Sequence, residues 1–121
     1  MNKIFKFFLY IILNFLIVSF SLSAEETKIK IGLLVPLTGD NSKIGNQIVK
    51  SVQLALKDIN NNQIEIFPRD TQSDPNKTLL SAIELSQLGV NLVIGPVFHE
   101  NLTYLEELKD ITFLSFTNKT L

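Results

Sequence analysis

The sequence predicts an α/β fold, an open parallel β-sheet with strand order 2-1-3-4 and helices on its faces. Two observations carry this expectation. Short apolar runs alternate with stretches of helical periodicity, and the connections between them are only a few residues long, which calls for right-handed β-α-β crossovers. A third observation sets the limits of the domain, because the first 23 residues differ in character from the rest.

Lys3 and Lys6 precede the run Phe7 to Phe20, in which only Asn14 and Ser19 are not apolar, and Ser21-Leu22-Ser23-Ala24 follows. That is the layout of a secretory signal peptide over 1–23, with small residues at Ser21 and Ser23 favouring cleavage after Ser23. The product is then periplasmic or secreted. An uncleaved membrane anchor is the competing reading, but the fourteen-residue run rises only about 21 Å as a helix, short of the roughly 30 Å hydrocarbon core. Without Lys3 and Lys6, the domain at 24–121 keeps nine basic residues against twelve acids, a net charge of −3.

Within that domain, Lys28 to Leu37 begins with strict alternation and turns continuously apolar, as a strand does on entering a sheet covered on both faces. Pro36 should end it. Ser42 is a credible N-cap for a helix with Ile44, Ile48, Val52, Ala55, Leu56 and Ile59 on one face, closed by Asn60-Asn61-Asn62. Gln63 to Phe67 alternates again and stops at Pro68. Asp74-Pro75 reads as N-cap and first-turn proline of a second helix, with Leu79, Ala82, Ile83 and Leu88 inward and Gly89 at its end. Val90 to Ile94 is the third strand, closed by Gly95-Pro96. A shorter helix from about Glu100 to Lys109 carries Leu102, Leu105 and Leu108, and Ile111 to Phe116 is the fourth strand.

Several chemistries are excluded. The 121 residues contain no Cys and one His, so there is no disulfide, thiolate nucleophile or clustered metal site, and no metal or other cofactor is expected. Eleven Lys and Arg against twelve Asp and Glu leave no basic field for nucleic acid. Gly39 and Gly45 fit neither the phosphate-loop pattern nor the dinucleotide turn, and no G-x-S-x-G elbow is present. The third strand ends without a phospho-accepting carboxylate. Nothing supports an enzyme. Asn76-Lys77-Thr78, Asn101-Leu102-Thr103 and Asn118-Lys119-Thr120 match the glycosylation triplet but are read as chance in an Asn-rich sequence.

In an open parallel sheet, ligands sit beyond the carboxyl ends of the strands, where the strand order reverses. Those ends carry Thr38, Gly39 and Asp40, then Asp70 and Thr71, then Val97, Phe98 and His99, then Thr117 and Asn118. Thr38, Asp70, Phe98, His99 and Thr117 are the candidate ligand-binding residues. A helix beginning near His99 would aim free N–H groups at the same edge, suiting an anionic group. The structural alternative is favoured for Asp40, Asp70 and Asp74, as caps or turn residues, and for His99 as a solvated or capping side chain. Phe98 is a ligand wall or ordinary packing.

Lys30-Ile-Gly-Leu-Leu-Val-Pro-Leu-Thr-Gly39, Asp70-Thr-Gln-Ser-Asp-Pro75 and Gly89-Val-Asn-Leu-Val-Ile-Gly-Pro96, in that order, resemble the N-terminal lobe of the leucine/isoleucine/valine-binding protein family. That is the type I periplasmic binding fold, whose lobes are flavodoxin-like. The resemblance covers essentially 28–121 and implies an exported solute receptor serving a membrane permease. In amino-acid-binding members, hydroxyl residues after the third and fourth strands hold the ligand's carboxylate and amino groups. Here those positions fall on His99 and near Lys119, which implies that leucine itself is not the solute. Gly95-Pro-Val-Phe98 and Phe113-Leu-Ser-Phe-Thr-Asn118 look more like the penicillin-binding protein activator branch, which implies a cell-wall synthase as partner. Family members are several times longer, so the chain is expected to be a truncated first lobe.

The strand order also predicts that the third and fourth strands are covered on one side only. The open face would carry part of Val90, Leu92 and Ile94 or Val93, with Ile111 and Phe113 or Leu114 and Phe116.

Overall fold

A computed structural model describes residues 2–18 and 27–117. The apolar N-terminal run forms helix α1 (Lys3–Val18). No helix among the described residues is long and apolar enough to cross a membrane. The expected cleavage point at Ser23, and Asn118 and Lys119, lie outside the described residues.

The domain then runs β1 (Ile29–Val35), α2 (Ser42–Ile59), β2 (Ile64–Asp70), α3 (Pro75–Gln87), β3 (Leu92–Ile94), two 3-10 turns (His99–Leu102 and Leu105–Glu107) and β4 (Thr112–Leu114). The sheet order is β2-β1-β3-β4 with every pair parallel, as the short crossovers required. Ile29 pairs with Ile64 and Val35 with Asp70, so β1 and β2 end level with each other. Strand β2 continues through Pro68, two residues past the expected stop. It can do so because it is an edge strand, whose alternate N–H groups face away from its one neighbour.

Side chains of alternate residues separate the two faces. Leu34 and Val93 point toward α3, where Ala82, Leu85, Val90, Leu105 and Ile111 close a buried cluster with Phe67, Leu79, Leu102, Leu108 and Phe113 packed around it. Gly32 leaves room on this face, since a Cβ there would come within 2.7 Å of the Leu85 side chain. On the opposite face Leu33 and Ile66 meet Val49, Val52 and Leu56 of α2 around a gap of about 140 Å³. The α2 stripe is less buried than its spacing suggested, with Ile44 42% and Ile59 58% exposed. Eighteen helical residues rise about 27 Å whereas seven strand residues span about 23 Å, so the helix ends overhang the sheet.

Three local expectations are corrected. The cap of α2 is Asn41, and Ser42 is the first helical residue. Its far end is closed where expected, by Asn60 in the left-handed conformation, φ 49°, donating its N–H to the Leu56 carbonyl at 3.0 Å. The short helix at 100–109 is two 3-10 turns instead, and the strands flanking them are three residues each. Leu102, Leu105 and Leu108 recur every third residue, which is the period of a 3-10 helix and not the mixed three-and-four spacing of an α-helical stripe. They face the core as expected. Asp74 caps α3 as predicted, its carboxylate accepting the Lys77 N–H at 2.8 Å.

Among the described residues, no helix or strand covers the α2 face of β3 and β4. Leu114 and Phe116 are 53% and 52% exposed and Leu92 and Ile94 are half-buried, while Val90, Val93 and Ile111 are buried in the core and Phe113 packs against it. The pleat thus resolves the alternatives left by the sequence.

Candidate functional site

The carboxyl edge of the sheet gathers four loops, two on each side of the β1–β3 boundary where the strand order reverses. On the β1 side Pro36 stops the strand and Gly39, at φ +79°, turns the chain away. The carboxylate of Asp70, last residue of β2, reaches across to this loop. Its Oδ1 accepts the backbone N–H of Leu37 at 2.8 Å, of Thr38 at 3.3 Å and of its own neighbour Gln72 at 2.9 Å. Its Oδ2 accepts the Thr38 hydroxyl at 2.6 Å. Burial alone would raise the Asp70 pKa; the Thr38 hydroxyl and the N–H groups of Gln72, Leu37 and Thr38 outweigh it and hold the carboxyl below its ordinary value.

Gln72 and Ser73 both have positive φ, 51° and 57°, an unusual pair for residues bearing side chains. The tight turn is held by the Thr71 hydroxyl, which accepts the Ser73 N–H at 3.3 Å, and by Asn41, whose Nδ2 donates to Ser73 Oγ at 3.1 Å. Neither Gln72 nor Ser73 is a residue type that favours positive φ, so this loop geometry was not legible. Gly45 in α2 lies so close to the loop after β1 that a Cβ would overlap the Pro36 carbonyl oxygen.

On the β3 side, Gly95 at φ +109° donates its N–H to Leu114 at 2.8 Å, and a Cβ there would overlap the Leu34 carbonyl. The Pro96 carbonyl accepts both the Phe116 N–H and the Ser115 hydroxyl at 3.2 Å. Ser115 Oγ in turn accepts the Thr117 N–H at 3.1 Å. Ser115 therefore ties the loop carrying Thr117 to the loop leading to Phe98 and His99. Its role was hidden in a run that reads only as strand.

Phe98 and His99 are half-buried. His99 Nδ1 lies 3.1 Å from a Glu100 carboxylate oxygen. The expected helix start at His99 is a four-residue 3-10 turn in which the Asn101 N–H is already spent on the Phe98 carbonyl, and the Glu100 carboxylate stands beside it. The anion-binding helix terminus anticipated there is absent from the described residues. Of the five candidates, Thr38 and Asp70 are bonded to each other, and Thr117 is bridged through Ser115 to the loop that leads to Phe98 and His99. No group of three or more His, Cys, Asp or Glu suited to a metal occurs among the described residues.

A parallel sheet with polar loops gathered at its switch point is the arrangement in which open α/β folds hold their ligands. Residues 28–117 match the model of the periplasmic binding protein family, and the chain belongs to that family. Among solved structures, a leucine-binding protein from Thermotoga maritima is 20% identical with a TM-score of 0.64, matching 72% of this chain and 27% of that one. An ABC-transporter solute-binding protein from Rhodopseudomonas palustris, solved with 3,4-dihydroxybenzoic acid, is 26% identical with a TM-score of 0.66 over 75% and 27%. The C-domain of LpoA from Haemophilus influenzae, a regulator of PBP1A, is 25% identical with a TM-score of 0.59 over 75% and 28%. A curated relative, an uncharacterized protein of Methanocaldococcus jannaschii, is 29% identical over 82 residues, 61% of this chain and 20% of its own length. The chain thus spans about a quarter of the length of these solved structures. Family and fold are those of binding proteins, with the type I lobe architecture.

Proposed function

We propose that the chain is an exported solute-binding domain that presents Thr38, Phe98, His99 and Thr117 to a small molecule and works with a membrane permease. Asp70 serves this edge as the brace of the Thr38 loop, because all its hydrogen bonds run to the protein itself. The family match over 28–117 carries the reading. Leader and cleavage after Ser23 would deliver the domain to the periplasm. His99, paired with Glu100, is no substitute for the hydroxyl that would hold an amino acid's carboxylate, so the solute is not leucine.

The second reading is an envelope interaction module acting on a cell-wall synthase. It rests on the likeness to LpoA at 25% identity and on the Gly95-Pro-Val-Phe98 segment. One preparation tests the proposal. Protein recovered from the envelope fraction should begin at Ala24 or Glu25 and give no heat with millimolar leucine in calorimetric titration. Met1 retained in membranes would defeat the export claim, and micromolar leucine affinity lost in His99→Ala would defeat the solute argument.

A further inference from the structure

Among the described residues, three polar side chains are buried: Thr71, Thr78 and Asn101. Two are satisfied. The Thr71 hydroxyl accepts the Ser73 N–H, and the Thr78 hydroxyl donates to the Asp74 carbonyl at 2.8 Å. Asn101 differs. It is 1% exposed, in the 3-10 turn His99–Leu102 that packs on α3, and neither Oδ1 nor Nδ2 has a hydrogen-bond partner among the described residues.

A primary amide offers two donors and two acceptor lone pairs. Leaving such groups bare in a protein interior is costly, and native interiors rarely do so. A buried side chain with both kinds of capacity needs a partner that can both give and take hydrogen bonds. At 1% exposure the amide is out of reach of a solute or a carbohydrate, and only a molecule as small as water fits the requirement. Folded proteins hold roughly one buried water per 27 residues, typically on otherwise unpaired polar atoms. A domain of this size accommodates a few.

We propose that Asn101 is the anchor of an internal water site beneath the Phe98–His99 loop. Water accepts from Nδ2 and donates to Oδ1, and its remaining hydrogen bonds go to backbone groups of the same enclosure. Asn101 itself closes this turn, its N–H donating to the Phe98 carbonyl at 3.2 Å, so hydration of its amide supports the segment that carries Phe98 and His99. The same burial withholds Asn101-Leu102-Thr103 from glycosylation in the folded protein.

Oxygen-17 magnetic relaxation dispersion on the full chain counts long-resident internal waters. The wild type should show at least one more than Asn101→Leu, which keeps the side-chain size but cannot bind water, and Asn101→Leu should melt at a lower temperature than the wild type. Equal dispersion, or a higher melting temperature for Asn101→Leu, would overturn the proposal. Should that variant not fold, a high-resolution crystal structure of the wild type decides. Water within hydrogen-bond reach of the Asn101 amide supports the site, and an amide turned onto a protein partner refutes it.

Discussion

Replacing Asp70 by Ala removes a carboxylate that takes four hydrogen bonds from two loops. The Leu37 N–H is part-buried, and stranding it costs about 1.5 kcal/mol; the Thr38 and Gln72 donors are exposed and recover water, so each costs about 0.5 kcal/mol. The expected loss is about 3 kcal/mol, a large share of the roughly 5–15 kcal/mol that stabilises a small domain. At about 4–8 °C per kcal/mol for a domain of this size, the melting temperature should fall by roughly 15 °C in calorimetry or circular dichroism. Asp70→Asn keeps an oxygen for the three N–H groups and should lose only about 1 kcal/mol, chiefly the charge assistance. The pH dependence has a definite sign. Because the folded carboxyl is held below its ordinary value of 3.8, its contribution is complete above that pH and is lost as pH falls through the folded value. The gap between wild type and Asp70→Asn should therefore be constant near neutrality and close below about pH 4. An Asp70→Ala protein within about 0.5 kcal/mol of wild type, the usual range for a surface side chain, would refute the brace and return Asp70 to the ligand.

Two further outcomes are expected. Gly45→Ala should destabilise the domain by about 3 kcal/mol in denaturant titration, because the new methyl overlaps the rigid Pro36 carbonyl and α2 must move off the loop; a loss under about 1 kcal/mol would mean that the contact is looser than described. The double substitution Leu114→Lys and Phe116→Lys should lower the binding of a hydrophobic dye relative to the parent chain, since both side chains stand more than half exposed on the open sheet face. Unchanged dye fluorescence would show that this face is not what the dye sees.

Those expectations draw on features with very different visibility in the sequence. The four strands and their order were legible because alternation, apolar runs and short crossovers are written in neighbouring residues, and Asp74-Pro75 announced its helix by residue type alone. The 3-10 turns were less so. Leu102, Leu105 and Leu108 have the right spacing, but three positions satisfy a loose helical pattern as well as a 3-10 one. Pro68 suggested an ending to β2 because its tolerance depends on which edge of the sheet the strand occupies, a property of the assembled fold. The site divides in the same way. Topology placed Thr38, Asp70, Phe98, His99 and Thr117 at one edge, yet the bonds between Asp70 and Thr38 span 32 residues, and Ser115 acts on Pro96 across 19. No local pattern marks such pairs. Asn101 looked like part of a chance triplet, and only its burial sets it apart.

The lacing at the sheet edge also bears on how a ligand would be gripped. Asp70 stitches the first pair of loops into one corner, and Ser115 stitches the second pair into another. Between these corners β3 backs directly onto β1, where Gly95 lies against the Leu34 carbonyl. Under the proposed function, a solute reaching from Thr38 to His99 would act as a rivet across that seam, and its affinity would depend on the width of the gap as well as on the groups that line it. Gly95 holds the corners at that separation: a Cβ there would overlap the Leu34 carbonyl and, at φ +109°, strain its own backbone, so only glycine lets the two loops come this close.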